Sequence, residues 1–196
     1  MKKMFFLAPV MTALFLVAPA PNAQAQSQAE TPKYEVGVNY TLLRTNGAGL
    51  VNSTSDSGVG GRVTYNLANS LSVEGEYNFF PQDGRVNLAN LIGINSHKSE
   101  GLFGVKYGMR SEKWGIFGKL RPGFVRFSEG TPAGLGSNTN FALDVGGVLE
   151  YYLARSISVR VDLGDTIIRY PDNPTFGIGS FTTNNLQLGT GVSFRF

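Results

Sequence analysis

The chain has 196 residues, enough for one domain or two small ones, with 12% aromatics, 25 glycines and 16% charged residues against about 25% in ordinary soluble domains. It holds no cysteine and one histidine, which excludes a disulfide framework, thiolate metal sites and, in practice, transition-metal centres. Much of the +3 charge sits on Lys2 and Lys3; without them 15 basic side chains face 14 acidic ones, so the basic balance is no argument for nucleic-acid binding.

The opening segment reads as a secretory leader. Lys2 and Lys3 give a positive start, residues 4–20 are mostly apolar, and Ala23-Gln24-Ala25 has the small-x-small pattern of a cleavage site. Cleavage is expected after Ala25, giving a signal peptide over residues 1–25. The run is short and interrupted by Pro9 and Pro19, with Pro21 just beyond, which argues against a membrane anchor. Residues 26–32 read as a short tether, and 33–196 as the folded domain.

Eight segments of that domain alternate in character with the period-2 signature of strands. Over 34–42, Tyr34, Val36, Val38, Tyr40 and Leu42 share a face; over 59–67, Val59, Gly61, Val63, Tyr65 and Leu67 do so. The next two carry Leu71, Val73, Gly75, Tyr77 and Phe79, then Phe103, Val105 and Tyr107. Trp114, Ile116, Leu120 and Phe124 follow in a fifth, and Phe141, Leu143, Val145, Leu149 and Tyr151 in a sixth. Ile157, Val159, Val161 and Leu163 mark the seventh; Leu186, Leu188, Val192, Phe194 and Phe196 mark the last. Each is near the ~9–11 residues that a tilted membrane strand needs.

The connections alternate in length. Residues 68–70, 109–113 and 153–156 are tight turns, whereas 44–57, 80–97, 127–139 and 169–182 are long and rich in Gly, Asn, Ser, Thr and Pro. An up-and-down order puts all tight turns at one end and all long loops at the other, as in outer-membrane barrels. The expected fold is all-β: an eight-stranded antiparallel up-and-down transmembrane barrel.

Alternation alone does not say which face looks out, since a soluble lipocalin-type barrel has the same period. Three features favour an apolar exterior. Aromatics fall in two groups along the apolar face, Tyr34, Tyr65, Tyr107, Trp114, Tyr151 and Phe196 near the tight turns and Tyr40, Tyr77, Phe79, Phe124 and Phe141 near the long loops, as two membrane interfaces demand. The polar face carries Glu35, Arg62, Glu74, Glu76, Glu100, Lys106, Lys119, Arg121, Asp144, Glu150, Arg160, Asp162 and Arg195, near balance in sign, among Gly, Ser, Thr, Asn and Gln. Confined charge is costly unless paired, so these residues are expected to form a network in the lumen. Symmetric turns would set Arg62 opposite Glu76 and Glu150 opposite Arg160, and bring Glu100 near Arg121.

Little points to chemistry. His97 and Ser99 form a His-x-Ser pattern similar to that of lipid A deacylases, but an orienting acid is needed within reach. Glu112 sits in a tight turn at the other end and Glu129 in the third long loop. Asp56, Asp83 and Asp172 are scattered among loops, and Gly177-Ile178-Gly179 lacks the strand–helix setting of a phosphate loop. No catalytic residue, metal or cofactor is expected.

The pattern resembles the OmpA-like family of small outer-membrane β-barrels over about residues 34–196. The resemblance is carried by Phe117-Gly118-Lys119-Leu120-Arg121-Pro122-Gly123-Phe124, the pair Gly146-Gly147 before Glu150-Tyr151, the stretch Arg160-Val161-Asp162-Leu163, and the terminal Gly191-Val192-Ser193-Phe194-Arg195-Phe196. It implies a place in the Gram-negative outer membrane, among lipid and lipopolysaccharide, and makes Phe196 the aromatic read by the barrel-assembly machinery. The sequence given ends at the barrel, so the peptidoglycan anchoring of longer members is not expected.

An eight-stranded barrel is just wide enough for side chains to fill it. The expected protein is a monomer with a plugged lumen, serving the envelope structure or binding an unidentified extracellular partner through its four long loops. The alternatives are a narrow porin-like channel, an outer-membrane hydrolase using His97 and Ser99, and a soluble periplasmic ligand-binding barrel.

Overall fold

The computed structural model describes residues 31–46, 53–81, 97–128, 138–172 and 179–196. They form eight strands: β1 (Tyr34–Thr45), β2 (Thr54–Asn66), β3 (Leu71–Phe80), β4 (Lys98–Arg110), β5 (Trp114–Phe127), β6 (Asn138–Ala154), β7 (Ile157–Tyr170) and β8 (Phe181–Arg195). Each pairs antiparallel with its neighbour in sequence, and β8 returns to β1 to close the barrel. Tyr34 and Phe196 exchange two backbone hydrogen bonds of 2.9 Å, which seals that last seam. The leader, the tether up to residue 30 and most of the four long connections lie outside the described residues.

Burial follows the sequence period. In β1 every second residue from Glu35 to Thr45 is buried, while Tyr34, Val36, Val38, Tyr40 and Leu42 are exposed. Val38 is 70% exposed and Glu74 0%. Such an inversion, with apolar side chains outward and carboxylates inward, is unfavourable in water and favourable in hydrocarbon. It excludes the soluble lipocalin-like arrangement, which would bury the aliphatic face. All eleven aromatics assigned to the two groups point outward. Tyr34 packs between Tyr65 and Phe196, at ring distances of 5.2 and 5.8 Å, where the chain ends meet.

The strands run further than their apolar pattern. β2 starts at Thr54 and β4 at Lys98, and β6 has 17 residues. At about 3.3 Å per residue such strands exceed the hydrocarbon thickness even when tilted. Above the membrane the outer face meets water, so the outward residues Ser55 and Ser57 carry no apolar signal.

Two seams depart from regular pairing: β6–β7 shifts register between Tyr152 and Ala154 near its tight turn, and β4–β5 is interrupted in mid-strand. Between Leu102–Gly123 and Val105–Leu120 the β4–β5 ladder is interrupted, beside Pro122, which has no N–H to donate. The inward glycines there allow a close approach. A Cβ on Gly123 would lie 1.9 Å from the Gly101 carbonyl oxygen, and one on Gly104 would lie 2.1 Å from that of Leu120.

Candidate functional site in the barrel lumen

Period 2 sends every second side chain of all eight strands into one narrow interior. Among the described residues that interior holds Arg62, Lys98, Lys106, Arg110, Lys119, Arg121, Arg160 and Arg195, and Glu35, Asp56, Glu74, Glu76, Glu100, Asp144, Glu150 and Asp162. The thirteen charges assigned to the polar face are all buried there. Asp56, Lys98 and Arg110 add to them. Sequence reasoning had left these three in loops or beyond a strand end, although the same alternation, carried outward from Arg62, Glu100 and Lys106, reaches them.

The contacts cross the lumen. The Arg160 guanidinium on β7 grips the Glu74 carboxylate on β3 through both terminal nitrogens, the Nη2–Oε2 contact being 3.0 Å, and also takes Asp162 at 2.7 Å. Arg121 on β5 donates to Glu76 on β3 at 2.7 Å and to Asp144 on β6 at 2.8 Å. Lys106 on β4 donates to Glu150 on β6 and stands 3.4 Å from Glu74. Lys119 lies 2.9 Å from Asp144 and 3.4 Å from Asp162. Five strands, β3 to β7, are thereby tied through one ionic cluster, which Arg62 on β2 joins at 3.8 Å from Glu76 and Asp162.

The register opposes Arg62 to Glu76 and Glu150 to Arg160. These lateral neighbours are the weaker contacts, at 3.8 and 3.7 Å, and Arg62 spends a hydrogen bond of 3.1 Å on Ser193. Glu100 does not pair with Arg121, as had been expected: it stands opposite Val125, and its Oε2 accepts from the amides of Asn78 at 2.9 Å and Gln187 at 3.0 Å. Arg121 lies against Gly104 in the interrupted part of the β4–β5 seam and is taken up by Glu76 and Asp144.

The lumen is not polar throughout. Toward the long-loop end Leu43, Phe80, Val125, Phe127, Ala142 and Ile168 are buried on its inner face. Phe127 and Tyr170 stack at 6.2 Å, and Tyr170 on Phe181 at 4.7 Å, with interplanar angles of 17° and 14°. Toward the tight turns, Phe117 and Tyr152 take Lys106, Arg110 and Arg195 over their rings, Arg195 at 4.1 Å from the Tyr152 centroid. Both ends mix apolar and charged side chains: Lys98 and Asp56 pair beside Phe80 at the loop end, and Glu35 meets Arg110 and Arg195 at the turn end.

His97 and Ser99 lie on the opposite, outer face. The His97 ring sits 5.5 Å from that of Phe79, and Ser99 stands between Phe79 on β3 and Arg126 on β5. Neither neighbour of Ser99 is an acid. Glu112 belongs to the tight turn after β4, at the other end of the barrel, and Glu129 lies outside the described residues.

The family described as "Outer membrane protein beta-barrel domain" matches residues 11–196. No curated protein sequence matches the chain. Among solved structures it is similar to Neisserial surface protein A, at 12% identity and a TM-score of 0.58, covering 83% of this chain and 97% of that one. The N-terminal β-barrel domain of Pseudomonas aeruginosa OprF gives 12% identity and 0.55, covering 84% of this chain and 99% of that one. Ail, the attachment invasion locus protein of Yersinia pestis, gives 14% and 0.54, covering 85% and 100%. At such identities the likeness is one of fold.

Proposed function

The chain belongs to the outer membrane protein beta-barrel domain family, and from that premise we propose that this outer-membrane barrel works at the cell surface or in the envelope framework, with a lumen closed to solutes. The cross-lumen cluster centred on Arg160, Glu74, Arg121 and Glu76 carries this reading. Its members come from opposite walls, so a solute could pass only by breaking several buried pairs at once. Breaking even one such pair costs about 3–5 kcal/mol.

What the closed wall leaves available is its outer end. The four long connections emerge there, and a rigid scaffold with variable loops is the usual arrangement for binding. A surface role also agrees with the names of two structural neighbours, a surface protein and an attachment invasion locus protein. We place a cleaved leader at 1–25 and a tether at 26–32, and assign no catalytic residue. Phe196, exposed beside Tyr34 at the closing seam, is the proposed assembly signal; the barrel is taken as a monomer in lipid and lipopolysaccharide.

Planar-bilayer recording of the purified, folded chain tests the closed lumen. Brief or absent conductance steps are expected; large, steady openings would favour the narrow porin-like channel instead.

A further inference from the structure

Each acid in the lumen except one lies within 4.0 Å of a cation: Glu35 of Arg195, Asp56 of Lys98, Glu74 and Asp162 of Arg160, Glu76 and Asp144 of Arg121, and Glu150 of Lys106. Glu100 is the exception among the described residues. It is 0% exposed, its Oε2 is held by the neutral amides of Asn78 and Gln187, and its Oε1 has no partner. A buried carboxylate in that condition is costly unless it is neutralised or coordinates a cation.

A second observation lies beside it. Glu100 on β4, Val125 on β5 and Asn140 on β6 stand in one row of the sheet, all pointing inward. Asn140 is 1% exposed, and neither its Oδ1 nor its Nδ2 has a partner among the described residues. β5 lies between the two strands, so an intermediary seated inward of Val125 would meet both side chains. The neighbouring carboxylates Glu76 and Asp144 repel negative charge at Glu100, and Arg121, which offsets them, is already shared between those two.

We infer that Glu100 Oε1 and Asn140 Oδ1 hold a small hard cation in the loop-side half of the lumen. Carboxylate and amide oxygens suit an alkali or alkaline-earth ion and not a soft metal. Glu100 is the third residue of β4, whose first end is the long-loop end, and the Lys98–Asp56 pair interrupts the apolar ring there, so the ion would enter from outside the cell. The site is independent of whether the lumen is closed to larger solutes.

The test is thermal unfolding of the folded chain in detergent micelles, in sodium, potassium, magnesium and calcium chlorides, against tetramethylammonium chloride at equal ionic strength. One of the small cations should raise the midpoint by about 5 °C at a hundredfold excess over its dissociation constant. Glu100→Gln should abolish that rise and Asn140→Ala reduce it; should the first variant not fold, the second carries the comparison. Equal midpoints in all five salts would overturn the site in favour of a proton or water. A rise that survives the substitutions would place the ion elsewhere and overturn it equally.

Discussion

At the residue scale, the strongest contacts of this barrel are those that nearest-neighbour reasoning does not supply. The alternation told which side chains enter the lumen, and turn symmetry told that Arg62 faces Glu76 and Glu150 faces Arg160. It did not tell that Arg160 reaches across to Glu74, or Arg121 to Glu76, because that depends on the barrel radius and on side-chain length. The same blindness misassigned Glu100. Arg160 shows what such a contact is worth. Its side chain is 1% exposed and serves both Glu74 and Asp162. Arg160→Ala would leave two carboxylates without their main partner and is expected to cost about 3–5 kcal/mol of stability, read from denaturant unfolding in micelles. Arg44→Ala, on the exposed face of β1, should change it by less than about 0.5 kcal/mol. Equal effects of the two would mean that the buried cluster is not what holds the walls together.

At the scale of the element, strand number, order and facing were legible because hydrocarbon imposes apolar residues on one side of every strand. The strand ends were not. Thr54-Ser55-Asp56-Ser57-Gly58 reads as loop by composition, yet forms the first turn-distal part of β2, because beyond the membrane the outer face no longer needs to be apolar. The apolar inner residues Phe117 and Val125 escaped for a related reason: each adjoins an apolar outer residue, Ile116 or Phe124, and two adjacent apolar residues do not show which of them faces in. Glycines separate into two kinds by what surrounds them. Gly123 lies against the Gly101 carbonyl, where an added Cβ would stand 1.9 Å from its oxygen; on the outer wall, a Cβ on Gly61 would meet nothing nearer than 3.8 Å. Gly123→Ala is therefore expected to lower the unfolding midpoint by several degrees or prevent folding, since backbone must move on both strands. Gly61→Ala should be neutral or slightly stabilising, because it adds strand propensity without a clash. Heat-dependent gel mobility, with midpoints taken from the fraction folded, distinguishes the two variants.

At the scale of the whole molecule, the proposed closure of the lumen would rest on two layers that differ in chemistry. The ionic cluster spans β2 to β7, and above it Leu43, Phe80, Val125, Phe127 and Ile168 converge from β1, β3, β5 and β7. A solute crossing the barrel would have to displace the salt bridges and also pass this narrow, largely apolar ring, and the first step alone is a barrier of several kcal/mol. Removing one layer should therefore leave the other intact. Arg62→Ala, which vacates the side of the cluster facing Ser193, is expected to lower stability with little steady conductance, because the apolar layer still excludes water. Phe127→Ala alone opens the mouth onto a network that remains fully bonded. The double variant should conduct far more than the sum of the two, a non-additivity expected of barriers in series and measurable in single-channel amplitude and open probability. If Arg62→Ala by itself gave the full conductance, the apolar layer would contribute no seal, and the resistance of the lumen would lie entirely in its charges.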